Sequence, residues 1–143
     1  MRLLLPFVVA AGVLVAPAEA SACSCITWGK PKAELAKANG AFVGVYLGRR
    51  PVNPPGPTTS SIDPYLYTFR VDRRLKGALG KTVEVLSARD GASCGLEVRR
   101  GQRVGLLLRS RVKGRWESNL CSQRSAGFFR GIPSRRLASA GCG

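Results

Sequence analysis

Histidine is absent from all 143 residues. Its absence removes the Ser-His-Asp and Cys-His nucleophile pairs, His-ligated zinc and the one side chain that ordinarily titrates near neutrality. Acidic residues are scarce: eight in all, of which Glu34, Asp63, Asp72, Glu84, Asp90, Glu97 and Glu117 are scattered beyond residue 22. Nothing in their spacing suggests paired-carboxylate catalysis. A Walker loop, a dinucleotide fingerprint and a C-x-x-C pair are also lacking. These absences point away from an enzyme and away from a bound cofactor. Beyond the first residues no apolar stretch approaches the length of a membrane span, so no transmembrane segment is expected.

What is present begins with a leader. Met1-Arg2 supplies a positive start, Leu3 to Val15 is almost wholly apolar, and Ala16 to Ala22 offers two A-x-A cleavage sites, ending at Ala20 and at Ala22. Residues 1–22 are therefore expected to be a secretory signal peptide. Residues 23–143 are expected to form one small secreted, extracellular domain whose modest core benefits from covalent staples. Cleavage behind Ala22 makes Cys23 the first residue and places a free amine, a carbonyl and two thiols at one terminus. Ala20-Ser21-Ala22-Cys23 also resembles the end of a bacterial lipobox, with alanine where leucine is preferred at its start. Lipidation would consume the Cys23 thiol and commonly acylate its amine.

The net charge is +15, and the leader contributes nothing to it because Arg2 and Glu19 cancel. Such a balance suits anionic partners, anionic polysaccharide among them. Arg49, Arg50, Arg73 and Arg74 are the cations expected to carry retention on a polyanion. Basic residues are otherwise spread along the chain, without a long basic tail, and no dedicated nucleic-acid site is read.

Pro31, the helix formers Ala33 to Ala38 and the stop at Asn39-Gly40 predict a helix of about two turns. Ala41 to Leu47 reads as a strand with a bulge or bend at Gly44, and Arg49 to Pro64 as a long exposed loop. Tyr65, Tyr67, Phe69 and Val71 alternate with Leu66, Thr68, Arg70 and Asp72, the period of a half-buried strand. Thr82 to Leu86, Val104 to Leu108 and Arg115 to Leu120 complete five short strands, and Pro133 to Ala140 suits a short outer helix. The expected class is all-β: a closed five-stranded antiparallel barrel, OB-fold-like, with short flanking helices.

Five cysteines follow the leader: Cys23, Cys25, Cys94, Cys121 and Cys142. A Cys23–Cys25 bond would need a small strained ring, so each reaches a distant cysteine. Spacing leaves two arrangements open, Cys23–Cys94 with Cys25–Cys121 and the crossed alternative.

In order, Cys23-Ser24-Cys25, Phe42-Val43, Tyr67-x-Phe69-x-Val71 with Leu75-Lys76-Gly77, Ser93-Cys94-Gly95, Gly101 with Leu106-Leu107-Leu108, and Asn119-Leu120-Cys121 cover most of the chain beyond the leader. This pattern resembles the netrin-like module and, within it, the amino-terminal domain of the tissue inhibitors of metalloproteinases. The resemblance implies an OB-type barrel with Cys23 bonded to Cys94 and Cys25 to Cys121. It also implies a role: the amine and carbonyl of Cys23 chelate the catalytic zinc of an extracellular metalloprotease, and the Ser24 side chain enters the specificity pocket. Cys25, Ala92, Ser93 and Cys94 would lie beside that wedge. Ala38 stands near where the family carries a further cysteine, which leaves Cys142 the odd one.

Overall fold

The computed structural model describes residues 23–26, 29–54, 56–109, 111–112 and 114–135. The leader, Cys142 and most of the expected Pro133 to Ala140 helix lie outside the described residues. The described start of that segment, Pro133 to Arg135, is not helical.

Helix α1 (Pro31–Lys37) has Pro31 in its first turn, where the missing N–H costs nothing. Seven strands follow: β1 (Gly40–Pro51), β2 (Pro64–Lys76), β3 (Thr82–Ala88), β4 (Arg103–Leu108), β5 (Arg111–Val112), β6 (Arg115–Glu117) and β7 (Gln123–Ser125). They form one sheet in the order β5-β6-β3-β2-β1-β4-β7, antiparallel except where β3 meets β6. β1 and β2 extend beyond the expected strands, and Arg49 to Pro51, read as loop, pair with Tyr65 to Tyr67. The β1–β2 ladder shifts register three times, one shift falling between Val43 and Gly44. A Cβ at Gly44 would lie 2.3 Å from Arg70 O, so only glycine admits this close approach.

Bulges increase twist, and the sheet coils far enough for Arg109 N to donate to Glu117 O at 2.9 Å and Ser118 Oγ to Leu107 O at 2.8 Å. The expected closed five-stranded barrel is nevertheless not what forms: among the described residues the sheet is open and has seven strands. β7, which carries no hydrophobic strand signal, takes the edge of β4 at Val104, Gly105 and Leu106. β6 is only three residues long and pairs with β3 through Val85 and Leu86. Too little of β4's edge is left for a ladder to close.

The coil divides the apolar residues between two cores. Phe42, Tyr46, Tyr67, Phe69, Val85, Leu106, Leu108 and Trp116 pack inside it, with Phe42 and Phe69 edge to face at 5.4 Å. Ala41, Val43, Leu75, Leu107, Phe129 and Ile132 pack on the outer face, and Leu35 of α1 packs against them. β2 is thus covered on both faces: Leu66, expected on the solvent side, is as buried as Phe69.

Candidate functional site

The backbone at residues 90–95 is built around Asp90. Its Oδ1 accepts from Ala92 N at 3.1 Å, opening the 3-10 turn Gly91–Ser93, and its carbonyl accepts from Gly95 N at 2.8 Å. Cys94 closes the turn in the left-handed region, φ 59°, a conformation that costs a non-glycine residue about 1–2 kcal/mol. A Cβ at Gly95 would come within 2.4 Å of Ala88 O, so Cys94 must be followed by glycine for the turn to lie against β3. Polar bonds, rather than apolar packing, fix this loop.

Onto it the first described residues are strapped. Cys23 bonds to Cys94 and Cys25 to Cys121, and Leu120 N donates to Cys94 O at 2.9 Å, joining the two anchoring loops. Ser24 is exposed between two half-buried cystines, with Ala92 exposed and Ser93 half-buried beside Cys94. Cys23, Ser24, Cys25, Ala92, Ser93 and Cys94 therefore meet on one ridge. A groove of about 400 Å³ runs beneath Ser24, Cys25 and Ile26, flanked by Lys37 and Arg109.

Several ridge residues gave no sign in the sequence. The long loop after β1 returns to the ridge, where Ser61 Oγ lies 2.5 Å from Ser93 Oγ and Arg89 N donates to Ser61 O. This leaves Ile62 71% exposed next to the Ser61–Ser93 contact, while Ile26, directly behind Cys25, is 89% exposed. Single exposed hydrophobes are ordinary, but two of the three large ones among the described residues flank this ridge.

Arg124 fastens the strap from below. Its side chain is 2% exposed, donating to Cys121 O at 2.7 Å, Gln123 O at 2.8 Å and Glu34 Oε2 at 3.1 Å. Glu34 Oε1 in turn accepts from Gly29 N at 3.4 Å. An arginine in a polar three-residue strand carries no sequence signal for such a role.

At the same end of the sheet, Tyr67 Oη accepts from Arg49 Nη1 at 2.8 Å and lies 3.0 and 2.9 Å from Ala88 O and Arg89 O, one of which takes its proton. The Arg49 guanidinium lies over the Tyr65 and Tyr67 rings and also donates to Arg89 O. Burial pushes the Tyr67 phenol above the usual tyrosine value, and the hydrogen bond from Arg49 offsets part of that. Arg49 is thus committed to the fold, and Arg50 pairs with Glu84 at 3.0 Å.

The four arginines expected to carry retention on a polyanion, Arg49, Arg50, Arg73 and Arg74, fall into two separate pairs. In the β1–β2 ladder Arg49 stands opposite Tyr67 and Phe42 opposite Arg74. Seven residue steps from Phe42 to Arg49 correspond to roughly 23 Å along an extended strand. The two arginine pairs sit at opposite ends of the ribbon and make no single patch.

Among the described residues no group of three or more histidine, cysteine, aspartate or glutamate side chains comes together in a way that could hold a metal ion, and no helix is long and apolar enough to cross a membrane. No protein-family model matches the chain, and no curated protein matches it significantly. The ridge has to be interpreted from its own geometry.

Proposed function

We propose that the chain is a secreted, netrin-like inhibitor of zinc metalloendopeptidases, acting through the amine and carbonyl of Cys23 after cleavage behind Ala22. One observation carries this reading: Cys23-Ser24-Cys25 is strapped by two disulfides across two hydrogen-bonded loops, with Ser24 exposed between them. A catalytic zinc keeps one position open for water, and a rigid N,O donor pair can fill it without being cut. A terminal amine titrates near about 7.7 to 8.0, so the neutral form that metal binding requires is accessible at physiological pH. Strapping the donors beforehand reduces the ordering lost on association. Ser24 is small and neutral and would restrict the accepted proteases little, while Ile26 and Ile62 supply apolar contact beside it.

The test compares purified mature protein with the same protein carrying one extra alanine before Cys23, on a panel of extracellular zinc endopeptidases. The extension converts the amine to an amide and obstructs the open zinc position. Inhibition by the first form and its loss in the second, at equal thermal stability, is the expected result. Equal behaviour of the two forms would sink the mechanism. It would bring forward the second reading, a noncatalytic basic netrin-like module that binds extracellular polyanions or a partner protein, which the net charge of +15 favours.

A further inference from the structure

Away from the ridge, Lys32, Leu35 and Ala36 of α1, at helical spacing, form one wall of an open cavity of about 440 Å³. Its opposite walls come from the end of β2 and from Ile132 to Arg135. Leu35, Leu75, Ile132 and Pro133 make an apolar floor, and among the described residues no acidic one contributes to the lining. Three cations do contribute: Lys32, Lys76 and Arg135.

Those cations have no carboxylate partner among the described residues. An ammonium has three N–H groups, and Lys76 gives two of them to Leu35 O at 3.0 Å and Ala36 O at 2.9 Å. The third has no partner among the described residues, so Lys76 is held in place with one donor to spare. The side chains of Lys32 and Arg135 make no hydrogen bond or ion pair among the described residues. Neighbouring Arg73 is likewise satisfied only by neutral acceptors, Ile132 O and Ser134 Oγ. By contrast Arg50, Arg70, Arg103 and Arg124 each pair with a carboxylate elsewhere in the molecule. Positive charge is left uncompensated beside an apolar floor.

A purely polar polyanion would gain nothing from that floor, and a neutral lipid nothing from the cations. The geometry points to an anionic amphiphile, and we propose that this groove binds a single-chain aliphatic carboxylate. Its alkyl chain lies along Leu35, Leu75, Ile132 and Pro133, and its carboxylate accepts from Lys76 with Lys32 and Arg135 on the rim. The cavity is within the usual range for small-molecule sites, about 300–1,000 Å³. The site is separate from the protease-binding ridge and does not depend on it.

The experiment is titration calorimetry of the full mature protein with laurate below its micelle concentration, alongside butyrate and dodecyltrimethylammonium. Laurate is expected to bind one to one, butyrate at least tenfold more weakly for want of apolar burial, and the cationic amphiphile not at all. Lys32→Glu with Arg135→Glu should weaken laurate by about tenfold or more, because the rim becomes repulsive. Ala36→Trp, a change at an exposed wall position, should abolish binding by filling the groove. Both variants are to be checked for unchanged melting before titration. Absence of laurate binding, equal binding of the two long-chain amphiphiles, or laurate affinity indifferent to both variants would overturn the proposal.

Discussion

The ridge around Cys23 and the groove beside α1 are neighbours through a few residues of chain, yet they are held by opposite means. The ridge owes its shape to two cystines, the turn capped by Asp90 and serine contacts, and it leaves Ile26 and Ile62 in solvent. The groove rests on the outer core, on Leu75 and Ile132, and of its cations Lys76 is held by the carbonyls of Leu35 and Ala36. A ridge defined by covalent bonds can present a fixed backbone without burying much of it. A groove defined by packing sets an apolar floor beside a charged rim. Arg124 joins the two, reaching Glu34 of α1 from beneath the Cys121 loop.

Removing one strap should separate the two regions most strongly. Cys25→Ser with Cys121→Ser opens a loop with a sequence separation of 96 and should cost about 2–5 kcal/mol in denaturant melts. Amide exchange at Leu120 and Ser122 should accelerate well before exchange at Val43 and Leu107. Uniform acceleration across all four would show one cooperative unit and break the contrast.

A smaller effect is expected at the joint. Arg124→Met leaves the Glu34 carboxylate and the Cys121 and Gln123 carbonyls without a buried donor, which should cost about 2–3 kcal/mol. Glu34→Gln keeps a hydrogen-bond acceptor and should cost less than half as much. If the ranking is reversed, the arginine acts through packing on Phe128 rather than as the joint.

The smallest effect belongs to the polar end of the sheet. Tyr67→Phe removes the hydroxyl that links Arg49 to the end of β3 and should cost about 1 kcal/mol. Because the folded-state value of Tyr67 is raised, chiefly by burial, the unfolded chain loses its phenolic proton first. The stabilising contribution is complete below about pH 10 and falls as pH rises through the folded value. Melts at about pH 8 and pH 11 should show a loss in the wild type that is smaller in Tyr67→Phe. An equal loss in both would assign the pH dependence to other groups.

The sequence determined a good deal on its own. Pro31 with Asn39-Gly40 bounded a helix that runs Pro31–Lys37, Gly44 marked a true register shift, and the apolar runs placed the cores of β1 to β4. These are local signals: a fixed φ, a missing Cβ, a side-chain period. The tertiary structure alone decided the rest. It paired Gln123–Ser125 with β4 and so left the sheet open, because ladder hydrogen bonds are indifferent to side-chain polarity. It chose between the two cysteine pairings, since thiol separation depends on how the loops dock. It scattered the four arginines of the two pairs and gathered Lys32, Lys76 and Arg135, far apart in sequence, around one apolar floor. Charge and chemistry are written residue by residue, but their proximity is set by register, bulges and coiling, which no short window of sequence contains.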